Sequence, residues 1–178
     1  MAAAQQETGP RRWGWHPLRP AWADRLVAST PVRAGDVVVD LGAGEGALTA
    51  SLERTGARVL AVELHPLRAA ELRRRFAGTR VAVVEIDLDA FRWPGHRFRV
   101  VANPPYTGVN ALVRRLLATR QLGSADLVLA EHAARGLARR HPGRIELGPR
   151  IPRQAFRHRP PADARVVRIR RGVKPPTP

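Results

Sequence analysis

Two hydrophobic periods alternate along this chain. Residues 37–41, 58–63, 81–86, 98–102 and 125–130 are short runs dominated by valine, alanine, leucine and isoleucine. They are nearly continuous rather than alternating, as in strands covered on both faces of a parallel sheet. Between them, residues 47–55, 66–76, 109–120 and 131–140 place apolar side chains three and four apart, the spacing of amphipathic helices. Gly56 suits the end of the first of these and Pro66 the start of the second. A short helix is predicted near 21–28. Near the end, 152–156 and 164–170 read as two more strands joined by the turn-rich stretch 157–163. Strands alternating with helices predict an α/β fold: a mainly parallel seven-stranded sheet with helices on both faces. The expected organisation is a flexible leader over 1–12, one domain over 13–171, and a frayed Pro-rich tail over 172–178.

Composition narrows the class. With 178 residues and 44% hydrophobic content, the chain can bury one real core. It has no cysteine, which excludes disulfides, thiolate metal sites and a thiol nucleophile. Neither a signal-peptide core nor a membrane-length apolar run is present, so a cytoplasmic protein without membrane partners is expected. The formal charge is +16, and Lys174 is the only lysine among 31 basic residues. Such an excess attracts polyanions, nucleic acid first, though charge alone does not separate RNA from DNA.

Chemistry concentrates where the first strand ends. Asp40-Leu41-Gly42-Ala43-Gly44-Glu45-Gly46 runs from an acid into three alternating glycines. Glycine turns sharply and lets a ligand approach the backbone where a Cβ would collide. The spacing differs from the dinucleotide fingerprint G-x-G-x-x-G. It is the form used by S-adenosylmethionine (SAM) methyltransferases, with Gly42, Ala43 and Gly44 as cofactor contacts. Asp40 either holds the loop through backbone N–H groups or reaches the cofactor amino group. Glu63, about 20 residues beyond the first glycine, is placed to accept from ribose hydroxyls, with Leu64 beside it. Asp87 closes the third run, next to Leu88. It either accepts from the adenine amine of the cofactor or caps a turn, with Asp89 as a substitute.

The fourth strand ends in Asn103-Pro104-Pro105-Tyr106. If strands one to four are parallel, these polar ends share one edge, where open α/β folds bind ligands. The tetrapeptide fits methyl transfer to a nitrogen conjugated with a ring or carbonyl. Its lone pair is delocalised, so two acceptors, the Asn103 side-chain carbonyl and the Pro104 backbone carbonyl, are needed to draw it toward tetrahedral geometry. The prolines preorganise those acceptors. Tyr106 is placed to stack on a planar base. A base paired in a helix cannot enter, so the target is single-stranded or flipped out. Upstream, Trp15 and His16 either line the cofactor entrance or staple the leader to the domain.

Taken together, Asp40 to Thr49, Val62-Glu63-Leu64-His65, Val100 to Tyr106, Arg153-Gln154-Ala155-Phe156 and Ala164 to Arg171 resemble the Erm-type 23S rRNA adenine-N6 methyltransferases. These are the macrolide-resistance relatives of the small-subunit rRNA adenine dimethylases, and the similarity spans most of 13–171. The resemblance implies a Rossmann-like class I SAM-dependent methyltransferase fold, SAM as cofactor, and a large-subunit rRNA adenine as target. It also implies resistance to macrolide-type antibiotics and a monomer. Commoner members read Gly-Gln-Asn-Phe-Leu where this chain reads Gly14-Trp15-His16-Pro17-Leu18. In stopping after its last predicted strand the chain resembles a short mycobacterial branch, which lacks the usual C-terminal helical lobe and shares the Trp-Gly-Trp-His stretch. DNA adenine, small-subunit rRNA adenine, protein glutamine and a non-catalytic RNA-binding role are the alternatives.

Overall fold

A computed structural model describes residues 16–105 and 107–170. The predicted leader, the tail, Trp15 and Tyr106 lie outside the described residues. The elements run α1 (Pro20–Ala28), β1 (Val37–Leu41), α2 (Ala47–Glu53), β2 (Arg58–Glu63), α3 (Pro66–Arg75), β3 (Val81–Glu85), β4 (Phe98–Ala102), α4 (Val109–Ala118), β5 (Leu122–Ala130), α5 (Glu131–Arg140), β6 (Ile145–Ile151) and β7 (Ala164–Arg170).

The seven strands form one sheet in the order β3-β2-β1-β4-β5-β7-β6. The pairs among β1 to β5 are all parallel, and β7 is antiparallel to both β5 and β6. The order reverses between β1 and β4, the point at which ligands bind in open α/β sheets. Alternation within the strands divides the core. Val39, Leu41, Val62, Val100 and Leu127 pack with α4 and α5, while Val38, Val59, Val101 and Val128 pack with α1 and α2. Both faces of the central strands are covered, which is why their sequences read as unbroken apolar runs. Among the described residues no helix is long and apolar enough to cross a membrane.

One predicted strand is wrong. Residues 152–156 do not form one: Arg153–Ala155 is a single 3₁₀ turn, preceded by the extended Pro152. The seventh strand is β6, hidden in the sequence by Gly148 and Pro149. Its register against β7 shifts between Leu147 and Arg150, so the proline sits in an irregularity of an edge strand, where a missing N–H is tolerated. The misread stretch has another function in the fold. Leu18 bridges Phe156, Arg19 N–H donates to Ala155 O at 2.8 Å, and Arg157 N–H donates to Pro17 O at 2.9 Å. Residues 17–19 are thereby stitched to the segment leading into β7.

The β5–β7 junction holds a buried charge. Asp126 is fully buried and receives both terminal nitrogens of Arg170, at 2.7 and 2.9 Å, with Arg168 Nε 3.3 Å away. Bidentate pairing offsets the desolvation of the carboxylate. Arg170→Ala should therefore destabilise the fold by about 3 kcal/mol, because it leaves a buried charge with one partner. Urea unfolding checks this, with Arg150→Ala, at the exposed end of a surface pair with Asp163, expected to cost less than about 1 kcal/mol.

Candidate functional site

The C-terminal ends of β1 to β4 and the turns that follow them surround the switch point. After Leu41 the chain turns through Gly42, Gly44 and Gly46, whose φ angles are 72°, 59° and 79°. These left-handed conformations favour glycine. The amides of Gly42 and Ala43 donate to Val62 O at 2.8 and 2.9 Å, which continues the β1–β2 ladder into the turn. A Cβ on Gly42 would lie 3.0 Å from Pro105 Cδ and 3.7 Å from Pro104 Cα. The glycine turn and the Asn-Pro-Pro segment thus meet at van der Waals distance, with no room for a side chain between them.

Glu63 is buried at the end of β2 and binds the loop directly. One carboxylate oxygen accepts Gly44 N–H and the other His65 N–H, each at 2.8 Å, and Arg68 lies 3.9 Å away. The sequence reading gave the loop-holding role to Asp40 as one of its two alternatives. That alternative is corrected here: Asp40 Oδ2 instead accepts the Thr49 hydroxyl at 2.7 Å, while Oδ1 is buried with no partner. Position 40 points to the α2 face because the strand alternates, so Thr49, on the first turns of α2, reaches it first. Burial pushes the Asp40 carboxyl up to about 7, and the charge on Glu63 adds to the rise. The Thr49 hydroxyl opposes it.

Asn103 ends β4 beside the glycine turn. Its Nδ2 donates to His16 O at 2.7 Å, and its Oδ1 is buried with no partner. Asn103 and Asp40 line one small cavity of about 20 Å³, together with Pro17, Gly42 and Ala43. Two buried oxygens without partners, one of them an amide oxygen that can only accept, share one recess beside the glycine cradle, a set that a bound ligand would complete. His16 contributes its backbone carbonyl there, while its ring Nδ1–H donates to His158 O at 3.1 Å. These contacts tie residue 16 to Asn103 and to the segment before β7, while the leader it was expected to staple lies outside the described residues.

A larger cavity of about 360 Å³ opens on the β2 side. Gly42, Glu63, Leu64, Asp87, Leu88 and Pro104 all line it, so one recess gathers residues from four strand ends. Asp87 is exposed, and its Oδ1 accepts Asp89 N–H at 2.8 Å in an Asx turn. The residue that sequence reading missed is Arg115. From α4 it donates to Leu88 O and Phe91 O, each at 2.6 Å, and lies over Trp93, 5.1 Å from the ring centroid. Trp93 in turn stacks on Phe98. Arg115 thereby clamps the loop that carries Asp87 and Leu88. The signal for it was faint: an arginine inside the apolar stripe of α4, between Leu112 and Leu116.

The Asp40 shift has a defined sign. The folded state keeps its proton to a higher pH than the unfolded chain, whose ordinary value is 3.8. Stability from this group is present below about pH 4, falls as pH rises, and is lost by about pH 7. Asp40→Asn should remove that slope. Urea midpoints of the two proteins between pH 4 and pH 8 measure it, and parallel curves would contradict the assignment.

The residues fit SAM: a glycine cradle without room for side chains, acids at the cavity wall, and unpartnered acceptors that match a ligand bearing N–H donors. The likeness to known proteins agrees. Residues 19–144 match the family described as ribosomal RNA adenine dimethylase. The chain is 30% identical over 152 residues to an "rRNA adenine N-6-methyltransferase" from Corynebacterium diphtheriae, covering 79% of this chain and 60% of that protein. It is 38% identical over 109 residues to "Ribosomal RNA small subunit methyltransferase A" from Thermosynechococcus vestitus, covering 60% of this chain and 41% of that one. The chain thus spans about half the length of these curated relatives. Among solved structures, the 23S rRNA methyltransferase ErmE superposes with a TM-score of 0.81 at 26% identity, over 91% of this chain and 72% of that one. The fold is that of the class I SAM-dependent methyltransferases, and SAM is the cofactor it carries. By its sequence match and its fold, the chain belongs to the ribosomal RNA adenine dimethylase family.

Proposed function

We propose that this protein transfers methyl groups from SAM to N6 of an adenine in 23S rRNA, and that the modification confers macrolide-type resistance. The observation that carries the chemistry is Asn103 Oδ1, an unpartnered acceptor beside the glycine turn. When bound, SAM supplies a methyl group already activated as a sulfonium. Glu63 keeps a second lone pair on each carboxylate oxygen after accepting two amides, enough to receive the ribose hydroxyls. Asp87 and Leu88 hold the adenine half of the cofactor, in a loop fixed by Arg115. Gly42, Ala43, Asp40 and Asn103 face the methionine half.

Asn103 Oδ1 and the Pro104 carbonyl accept the two N–H bonds of the target amine and draw the nitrogen out of conjugation. His16 O fixes the Asn103 amide so that its oxygen, not its nitrogen, faces the target. Pro104 and Pro105 hold that geometry in advance, and in-line positioning supplies most of the acceleration. The likeness to ErmE over 91% of the chain favours the large subunit. A small-subunit adenine is the second reading, supported by the 38% identity to the Thermosynechococcus protein.

Primer extension on both rRNAs from cells expressing the protein distinguishes them, with a stop expected at one adenine of 23S rRNA. Asn103→Ala should lower kcat by about a thousandfold and change the SAM Kd less than threefold, since it removes an acceptor aimed at the target. Equal loss of both would make Asn103 structural. Glu63→Ala should weaken SAM binding by about a hundredfold, because the ribose acceptors and the tie to Gly44 go together. Calorimetry reads this, and unchanged affinity would refute it.

A further inference from the structure

A second recess, larger than the cofactor cavity, lies on the other side of the glycine turn. Its volume is about 470 Å³, and it is bounded by α2, α3, the start of α1 and the segment before β7. Its apolar lining is chiefly Leu67, with the core side chains Leu18 and Leu72 buried behind it. Leu67 is 72% exposed, the most exposed large hydrophobic side chain among the described residues. Around this floor stand the guanidiniums of Arg54, Arg68, Arg75 and Arg157. The acids of the recess are engaged, Glu45 with Arg157 and Glu71 with Arg74, and the other rim arginines also have protein partners: Arg54 pairs with Asp24, Arg75 donates to the Glu45 carbonyl, and Arg68 lies 3.9 Å from Glu63. The result is an apolar floor inside a cationic rim, which suits a planar base attached to a phosphate.

The recess is not separate from the site. Gly44 and Glu45 of the glycine turn form part of its wall. Leu18, Glu45 and Ala47 also line the small cavity that contains Asn103, and Arg68 lines the cofactor cavity as well. A chain passing Asn103 therefore has this recess as its neighbour across the turn.

We infer that this recess is a second nucleotide subsite. It takes the nucleotide adjacent to the target adenine, with its base against Leu67 and its phosphate among Arg54, Arg75 and Arg157. This rests on the RNA methylation proposed above and adds to it the handle for the flanking strand. Extrusion of the target base exposes its neighbour, and an apolar floor with phosphate anchors compensates the lost stacking.

The test uses the full chain and a short RNA hairpin with a single-stranded target adenosine. 4-Thiouridine is placed on one side of the adenosine, then on the other, and crosslinked by light. One of the two positions should attach to peptides of α2 or α3. Crosslinks from both positions only to α4, α5 or β6, with methylation intact, would overturn the subsite and leave the function standing. Leu67→Glu should raise the RNA Kd roughly tenfold. Arg54→Gln should lower the salt slope of binding by about one. SAM affinity should stay within twofold for both. Arg139→Gln removes the same charge from an exposed position on α5, against the opposite face of the sheet. Equal losses from Leu67→Glu, Arg54→Gln and Arg139→Gln, each of which lowers the net charge by one, would mean diffuse attraction and no subsite. A wild type that neither binds nor methylates any RNA would overturn the subsite and the proposed function together.

Discussion

Glu63 accepts the amide of Gly44 from across the gap between β1 and β2, and the amide of His65 with its other oxygen. The two bonds fix the glycine turn against the end of the neighbouring strand. A buried carboxylate is costly unless its oxygens are satisfied, and two backbone donors satisfy this one in a geometry that side-chain motion does not loosen. The turn it fixes is the wall shared by all three recesses: the cofactor cavity, the small pocket at Asn103 and the cationic groove beyond. The position of every other group in the site is measured from that wall.

Asn103 is held from the opposite direction. The prolines after it pack against Gly42, and its amide nitrogen is taken by His16 O. His16 is itself in a segment tied by backbone bonds to 155–157, just before β7. A residue near the start of the described chain and a turn near its end therefore converge to orient one amide. Disturbance at either tether should reach the chemistry without touching its residues. The ring of Trp93 and the guanidinium of Arg115 do the same for the loop at Asp87, from the other face of the sheet.

Asp40 and Glu63 are close enough for one to raise the proton affinity of the other, yet their environments differ. Glu63 has two amide donors; Asp40 has one hydroxyl and a bare oxygen. Burial without partners is tolerated where a ligand completes the set.

How much of this was visible in the linear chain depends on the range of the interactions. The five parallel strands, the glycine turn and the Asn103-Pro104-Pro105 ending were legible because local constraints write them: unbroken apolar runs, positive φ and proline stiffness. By itself the sequence determined the class of fold and placed Asn103 and Glu63 at one edge of the sheet. It misplaced β6, because Gly148 and Pro149 look like a break and only pairing with β7 makes Ile145–Ile151 a strand. It did not show the tie between Glu63 and the glycine turn, because strand alternation sends Asp40 to Thr49 while only the lateral spacing of β1 and β2 brings Glu63 to Gly44. It missed Arg115, whose partners lie in a loop on another part of the chain, and it gave no hint of the second recess. Tertiary structure decided those points, because a hydrogen bond or a cavity between distant segments depends on packing distances that no local pattern of residues encodes.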